Sequence, residues 1–394
     1  MISYDDALQR IVDCARPLGT ETVAFSCAAD RVLAEPLTAR LAMPRTDVSA
    51  MDGYAVREAD ITEPPFSLPI SGEAAAGAQP GDQLRPGTAI RIFTGAPVPT
   101  GADRVIVQEN TNREGDRVQF LNKHGAGRNI RSAGSDFEEG EVLIEAGRRL
   151  DWRSLATAAA ADRAAISVFR QPRVILLATG DELKAPGEAL EQPGAIPESV
   201  SPSIAAFVRL NAGIVLRSER LPDDISLMAA SAREALKQAD LVIMLGGASV
   251  GDHDHSRSAF DGPLDYVFPK VAIKPGKPVW MARKDDRFIL GLPGNPTSAL
   301  VTARLFLAPL LKGLGGENAR NAARFQSGVC ADPIPACGDR ETFMRAMSTE
   351  QGFRLSVSQD SSSQKSLSSA DTLIRRLPGS PSQPANSTVD YLTF

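Results

Sequence analysis

The segment Val174-Ile175-Leu176-Leu177-Ala178-Thr179-Gly180-Asp181-Glu182 opens with five apolar residues and stops on a glycine followed by two acids. An apolar run this short, closed by a turn signal, reads as a strand buried on both faces. The pattern returns twice. Leu241-Val242-Ile243-Met244 runs into Gly246-Gly247-Ala248-Ser249-Val250-Gly251, and Phe288-Ile289-Leu290 into Gly291-Leu292-Pro293-Gly294-Asn295-Pro296. Between these strands, residues 203–211 read as a helix stopped near Gly213, residues 214–216 as a strand, and Ile225, Met228, Ala229, Ala232 and Leu236 as the stripe of an amphipathic helix. A further helix runs to about residue 314. Residues 173–315 therefore predict an open, mostly parallel α/β sheet with helices on both faces.

Outward from this unit the texture changes. Residues 20–150 carry short alternating runs, such as Arg91-Ile92-Phe93 and Arg104-Val105-Ile106-Val107, broken by Gly, Pro, Asn and Asp, which predicts a β-rich region. At the start, Ser3 is placed to cap a helix whose acidic first turn holds Asp5 and Asp6, with Leu8, Ile11, Val12 and Ala15 on one face and Pro17 and Gly19 ending it. Residues 152–165 are alanine-rich and predict a second helix. The last 75 or so residues return to short strands, with a serine-rich stretch at 361–369, and predict a small β domain.

Composition bounds the function. A chain of 394 residues exceeds the size of one core, so several domains are expected. The formal net charge of −5, spread along the chain, argues against a nucleic-acid footprint. Cys14, Cys27, Cys330 and Cys337 form no CxxC pair and have no histidine at zinc-ligand spacing, so reduced thiols are expected. The start is acidic and lacks a long apolar core, and no uninterrupted apolar run reaches about 18 residues. A cytoplasmic protein without a membrane segment is the expectation.

In an open parallel sheet, ligands bind outside the carboxyl ends of the strands, and here three such ends carry glycine loops. A single glycine loop is most simply a tight turn. Three at one sheet edge instead predict close backbone approach to an anion. The same loops carry Asp181, Glu182, Asp252 and Asp254, which repel an anion unless a cation such as Mg²⁺ intervenes. Asp181 and Asp252 equally suit helix caps. Lys274 and Lys277, in Ile273-Lys274-Pro275-Gly276-Lys277-Pro278, supply positive charge for phosphate or another oxyanion, or else sit on an ordinary surface loop. His253 and His255 lack a third partner in the sequence and are left out of the site.

Seven strings stand in one order: SAMDGYAV (49–56), RIFTGAPVPTGADRVIVQE (91–109), GRNIRSAGSDFEEG (127–140), LLATGDEL (176–183), MLGGASVGDHD (244–254), AIKPGKP (272–278) and GLPGNPTSAL (291–300). By these strings the chain resembles the MoeA family of molybdopterin molybdenumtransferases over essentially its whole length, and is similar also to the gephyrin E domain. The resemblance implies a multidomain α/β plus β fold in four parts. Residues 1–50 and 141–172 would form a mainly helical domain, 51–140 an inserted β-rich domain, 173–315 the molybdopterin-binding α/β domain, and 316–394 a C-terminal β-barrel-like domain. It also implies a homodimer that takes adenylylated molybdopterin and molybdate, uses Mg²⁺ or a similar divalent cation, and releases AMP. The site would lie between the inserted domain of one subunit and the last two domains of the other. Expected partners extend to the upstream adenylyltransferase and to downstream molybdoenzyme chaperones.

Carried over by motif, the catalytic residues would be Asp52, Asp136, Glu182 and Asp254, the last three also metal ligands. Substrate would be held by Thr94, Gly180, Asp223, Gly246, Gly247, Ser249, Gly251, Lys274, Lys277, Pro293, Gly294 and Asn295, with Ser361 and Ser366 from the C-terminal domain. The sequence departs from the family at two places. Glu198-Ser199-Val200 stands where the family has an acid, a small residue and Asn, so any contact made by that amide must be lost or passed to Ser199 or Ser201. Residues 359–369 are serine-rich where the family more often alternates polar with apolar residues. Two other readings compete: an adenylyltransferase built on a related α/β domain, and a gephyrin-like scaffold. The retained acids favour the transferase.

Overall fold

The computed structural model describes residues 1–77, 83–247 and 256–394. Its centre is a six-stranded sheet made of β1 (Arg173–Thr179), β2 (Ile214–Leu221), β3 (Leu241–Leu245), β4 (Asp265–Phe268), β5 (Trp280–Lys284) and β6 (Arg287–Leu292), in the order β2-β1-β3-β6-β5-β4. The first four of that order are parallel; β5 and β4 add as antiparallel strands. The chain leaves β1 for β2 on one side and returns to β3 on the other, which sets a topological switch point between β1 and β3. Ala178 pairs with Leu245 and Leu245 with Leu292, so the three glycine loops leave the sheet at one level.

Both faces of the sheet are covered, which is why its strands read as unbroken apolar runs. Val174, Leu176 and Ala178 point into one core with α3 (Val200–Leu210) and with the continuous helical stretch Pro296–Leu314. Ile175 and Leu177 point into the other, against Met228, Ala232 and Ala235 of α4 (Ile225–Gln238), capped by Asp224. The 296–314 stretch is apolar and long enough to cross a bilayer, but 83% of it is buried in this core.

The first helix, α1 (Tyr4–Cys14), is capped by Ser3 as expected, but it buries Tyr4, Ala7 and Ile11 in the α/β core. The remainder of 1–50 and 141–172 is not mainly helical. Thr20–Ala24 pairs with Ala165–Phe169, Leu37–Thr38 pairs with Val142–Ile144, and the second helix, α2, spans Trp152–Ala160. The expected helix over 152–165 stops early because Asp162 turns into the left-handed region at φ 57°, after which Ile166 and Val168 alternate into a small core.

Residues 53–120 form a second six-stranded sheet, ordered Arg104–Val107, Gly53–Val56, Ala89–Ile92, Phe66–Ala74, Arg117–Phe120, Thr111–Glu114. Gly53 is needed there: a Cβ at that position would lie 2.0 Å from the carbonyl oxygen of Ile106. The C-terminal strands β7 (Gln326–Cys330), β8 (Glu341–Thr349), β9 (Gly352–Leu355), β10 (Thr372–Arg376) and β11 (Ser387–Thr393) close into a five-stranded barrel. The barrel is joined to the α/β unit by a parallel pairing of Ile273 with Glu341 and Lys274 with Thr342.

At the amino ends of the parallel strands, Asp240 is 2% exposed and accepts from Arg173 N–H at 2.9 Å, Arg173 Nε at 3.2 Å and Arg287 Nη1 at 3.0 Å. Burial pushes its carboxyl up, but the bonds from Arg173 outweigh this and hold it below the ordinary carboxylate range. A group with a depressed folded pKa stabilises above its unfolded value and loses that contribution as pH falls through the folded one. Asp240→Asn should therefore cost about 1–3 kcal/mol at pH 7. In thermal unfolding the gap to wild type should close below about pH 4. An equal gap at every pH would assign the loss to packing.

Candidate functional site

A cleft of about 650 Å³ opens at the switch point. Thr179 and Gly180 after β1, Gly246 and Gly247 after β3, and Pro293, Gly294 and Asn295 after β6 line it together. Gly246 has φ 88°, and a Cβ there would meet the carbonyl oxygen of Thr179 at 2.8 Å, so the glycine is what allows the two loops to touch. Glu182 and Asp223 add carboxylates to the wall, and Leu183, Ile196, Pro197 and Val200 make an apolar side. The Asp181 carboxylate accepts from Asp223 N–H at 3.1 Å, a structural role that ties the two turns.

A second cleft of about 550 Å³ adjoins the first through the shared residues Pro278, Pro293 and Asn295. It is lined by Lys274, Lys277 and Arg340, with Ser298, Gln359, Asp360 and Ser361. Two hydrogen bonds hold the serine-rich loop over the seam: Asn295 Nδ2 to Ser361 Oγ at 3.4 Å and Thr297 Oγ1 to the Ser363 carbonyl at 3.3 Å. One half of the combined cleft therefore carries acids and glycine loops, and the other carries three cations against one carboxylate, Asp360.

The sequence pointed to Gly180, Glu182, Asp223, Gly246, Gly247, Lys274, Lys277, Pro293, Gly294, Asn295 and Ser361, and the structure brings all of these to the two adjoining clefts. Ser366 stays within its own loop, its hydroxyl donating to the carbonyls of Ser358 and Ser363. Asp52, Thr94 and Asp136 do not line these clefts. The Asp52 carboxylate accepts from Thr94 N–H at 2.7 Å and Thr94 Oγ1 at 2.8 Å, bonds that lower its pKa and fix the turn. Asp136 N–H donates to the Met43 carbonyl at 3.0 Å. Ser249, Gly251 and Asp254 lie outside the described residues, as do Asp252, His253 and His255. Among the described residues no three His, Cys, Asp or Glu side chains converge as a metal site.

Sequence reading missed Thr179, Glu198, Arg340, Ser362 and Gln364, all on the cleft walls. The Thr179 hydroxyl, at the floor of the switch point, is buried without a hydrogen-bond partner among the described residues. Glu198 shapes the wall at Val200. Its buried carboxylate accepts from the N–H groups of both Val200 and Ser201 at 2.8 Å, capping α3 and turning the Val200 side chain to the cleft wall.

An open α/β sheet with a glycine-lined cleft at its switch point, extended by a barrel and an inserted sheet, defines a multidomain α/β plus β protein whose cleft lies where such sheets bind ligands. Residues 2–161 match the family model "MoeA N-terminal region (domain I and II)", and residues 175–313 match "Probable molybdopterin binding domain". The molybdopterin molybdenumtransferase of Nostoc sp. is 36% identical over 337 residues, covering 82% of this chain and 76% of that protein. That of Haemophilus influenzae is 35% identical over 319 residues, covering 80% and 78%. A crystal structure of the molybdopterin biosynthesis moeA protein from Pyrococcus horikoshii OT3 superposes with a TM-score of 0.84 at 26% identity, covering both chains completely. The chain belongs to the MoeA family of molybdopterin molybdenumtransferases.

The cap on α3 gives a direct test. Glu198→Ala should cost about 1 kcal/mol by thermal unfolding, the usual worth of a lost helix cap. Amide exchange should accelerate at Val200 and Ser201 ahead of the rest of α3. Unchanged protection at those two amides would show that the cap does not hold this wall.

Proposed function

We propose that this chain is a molybdopterin molybdenumtransferase, which takes adenylylated molybdopterin and molybdate, places molybdenum on the dithiolate and releases AMP. The observation that carries the reading is the pair of adjoining clefts with opposite charge. Glycine loops at a switch point suit phosphate and a flat ring system, with Leu183, Ile196 and Val200 offering an apolar face to the ring. Lys274, Lys277 and Arg340 suit a small divalent oxyanion beside it. An adenylyltransferase needs neither the oxyanion half nor the N-terminal region that matches the family, so that alternative is not favoured. A scaffold needs no such cleft.

Glu182 and Asp223 fit a divalent cation such as Mg²⁺, which commonly uses one or two carboxylates together with ligand phosphates and water. Such an ion would offset the charge between these acids and the phosphates. The chain's own residues do the rest. Glu182 is placed to orient a water or accept a proton at the phosphate, and the lysines and Arg340 hold the oxyanion against the dithiolate. A cytoplasmic setting is part of this proposal and rests on the sequence reading of reduced thiols. The upstream adenylyltransferase and downstream chaperones remain its expected partners.

Because Asp52 and Thr94 stand away from the clefts of their own chain, we propose that a second copy carries them to the site in a homodimer.

Two outcomes test this reading. AMP release from the adenylylated pterin on adding molybdate should stop when divalent ions are chelated and return with Mg²⁺. Glu182→Gln should lower it by about a hundredfold or more with little change in thermal stability. Full turnover in chelator, or a matching fall in stability, would remove Glu182 and the ion from the chemistry. The dimer is tested by mixing inactive Asp52→Ala with inactive Glu182→Gln. In a mixed dimer one cleft collects both substitutions and the other is native, so random reassortment should restore roughly a quarter of wild-type activity. Mixed dimers isolated with two tags but inactive would sink the shared site.

A further inference from the structure

The oxyanion half of the cleft is floored by a loop whose support comes from one buried cation. Arg345, on β8, is 0% exposed. Its Nη2 donates to the Ser358 carbonyl at 2.9 Å and the Asp360 carbonyl at 3.0 Å, while Nε and Nη1 have no partner among the described residues. The backbone of the same residue is held in return. Arg345 N–H donates to Gln359 Oε1 at 3.0 Å, and Gln359 Nε2 donates to the Arg345 carbonyl at 2.8 Å and to the Ser356 carbonyl at 3.3 Å. The Gln359 side chain thus fixes backbone at Arg345, and the Arg345 side chain fixes the carbonyls on either side of Gln359.

A buried guanidinium bonded through one nitrogen to two carbonyls is costly compared with an apolar side chain of the same volume, so packing does not account for it. Its position relative to the cleft does. The two carbonyls it holds inward flank Gln359, and the chain leaves Asp360 directly into Ser361, whose hydroxyl stands beside Asn295 in the oxyanion half. Gln359 also lines that half, but its amide hydrogens and one lone pair are already spent on backbone. We propose that Arg345 and Gln359 are positioning residues for the oxyanion: together they fix the loop that presents Ser361. This rests on reading that half of the cleft as the molybdate subsite.

The test is molybdate binding to the full-length protein by calorimetry, with thermal unfolding of each variant alongside. Arg345→Met, which keeps the volume, and Gln359→Leu should each weaken binding by about tenfold, as expected when support behind a ligand contact is lost, with unfolding unchanged. The double variant should bind no more weakly than Arg345→Met, because both act through one loop. Arg345→Lys should recover most of the affinity, since a single nitrogen serves both carbonyls and an ammonium replaces it. Wild-type affinity in Arg345→Met or Gln359→Leu, or full additivity in the double variant, would overturn the proposal. Lys277→Ala and Arg340→Ala separate the two levels. If they also bind molybdate as wild type does, the subsite itself is misplaced; if they lose it while the positioning variants do not, the inference alone fails.

Discussion

The bond network around Asp240 sets where everything else can stand. One carboxylate takes hydrogen bonds from Arg173 and Arg287, with Arg170 at 3.7 Å, while its own carbonyl accepts from Phe288 N–H and its N–H donates to the Arg173 carbonyl. The starts of β1, β3 and β6 are thereby tied in register at the amino edge of the sheet. Strands of similar length that start level also end level. A crevice forms at the carboxyl edge because β1, β3 and β6 release their loops at one height, with the switch point between β1 and β3. Register slips in a sheet buried on both faces are costly, since each would push an apolar set toward the wrong core.

The second half of the cleft depends on a seam between domains. Ile273 and Lys274 pair with Glu341 and Thr342 of the barrel, and Glu341 N–H donates to the Ala272 carbonyl at 3.2 Å. This seam sets Lys274 beside Arg340, residues 66 positions apart in sequence. Behind it the barrel is clamped to α1: Arg375 bonds Glu341 and Asp5 and lies over the rings of Tyr4 and Phe325, while Phe343, Leu373 and Leu392 join the α/β core. The N-terminal helix therefore serves the site indirectly. By closing the barrel against the sheet it holds the two halves of the cleft in contact.

How much of this was legible in the sequence follows the range of the interactions involved. Strands and glycine loops of the α/β unit are local and periodic, so β1, β3, β6 and the residues at their ends could be read directly. Lys274 and Lys277 were visible because they share one short motif. Arg340 was not: nothing in Asp339-Arg340-Glu341 marks it, and its place is created by a parallel pairing across domains. Ser362 and Gln364 were hidden by a composition that offered many serines and no period. The misjudged helix over 152–165 has the same cause, since its alanines are helix formers, but Asp162 and a strand partner 145 positions upstream at Glu21 to Val23 end it.

The chain as a whole is acidic, yet the site does not repel its ligands uniformly, because its charge is divided in space. Around Glu182 and Asp223 a phosphate at about 4 Å would meet a repulsion of about 1 kcal/mol per charge pair in water, and about 4 kcal/mol at the effective dielectric of a protein surface. The cation proposed above would offset that repulsion. The half walled by Lys274, Lys277 and Arg340 also holds the Asp360 carboxylate, but its three cations leave it net positive toward an oxyanion. Two anions can therefore occupy neighbouring positions without sharing a charge-neutralising group. Their separation is fixed by the shared wall of Pro278, Pro293 and Asn295, whose two prolines have the least backbone freedom to yield. A site built this way brings two like-charged reactants together by giving each its own counter-charge, and leaves the rigid wall between them to set the distance at which they react.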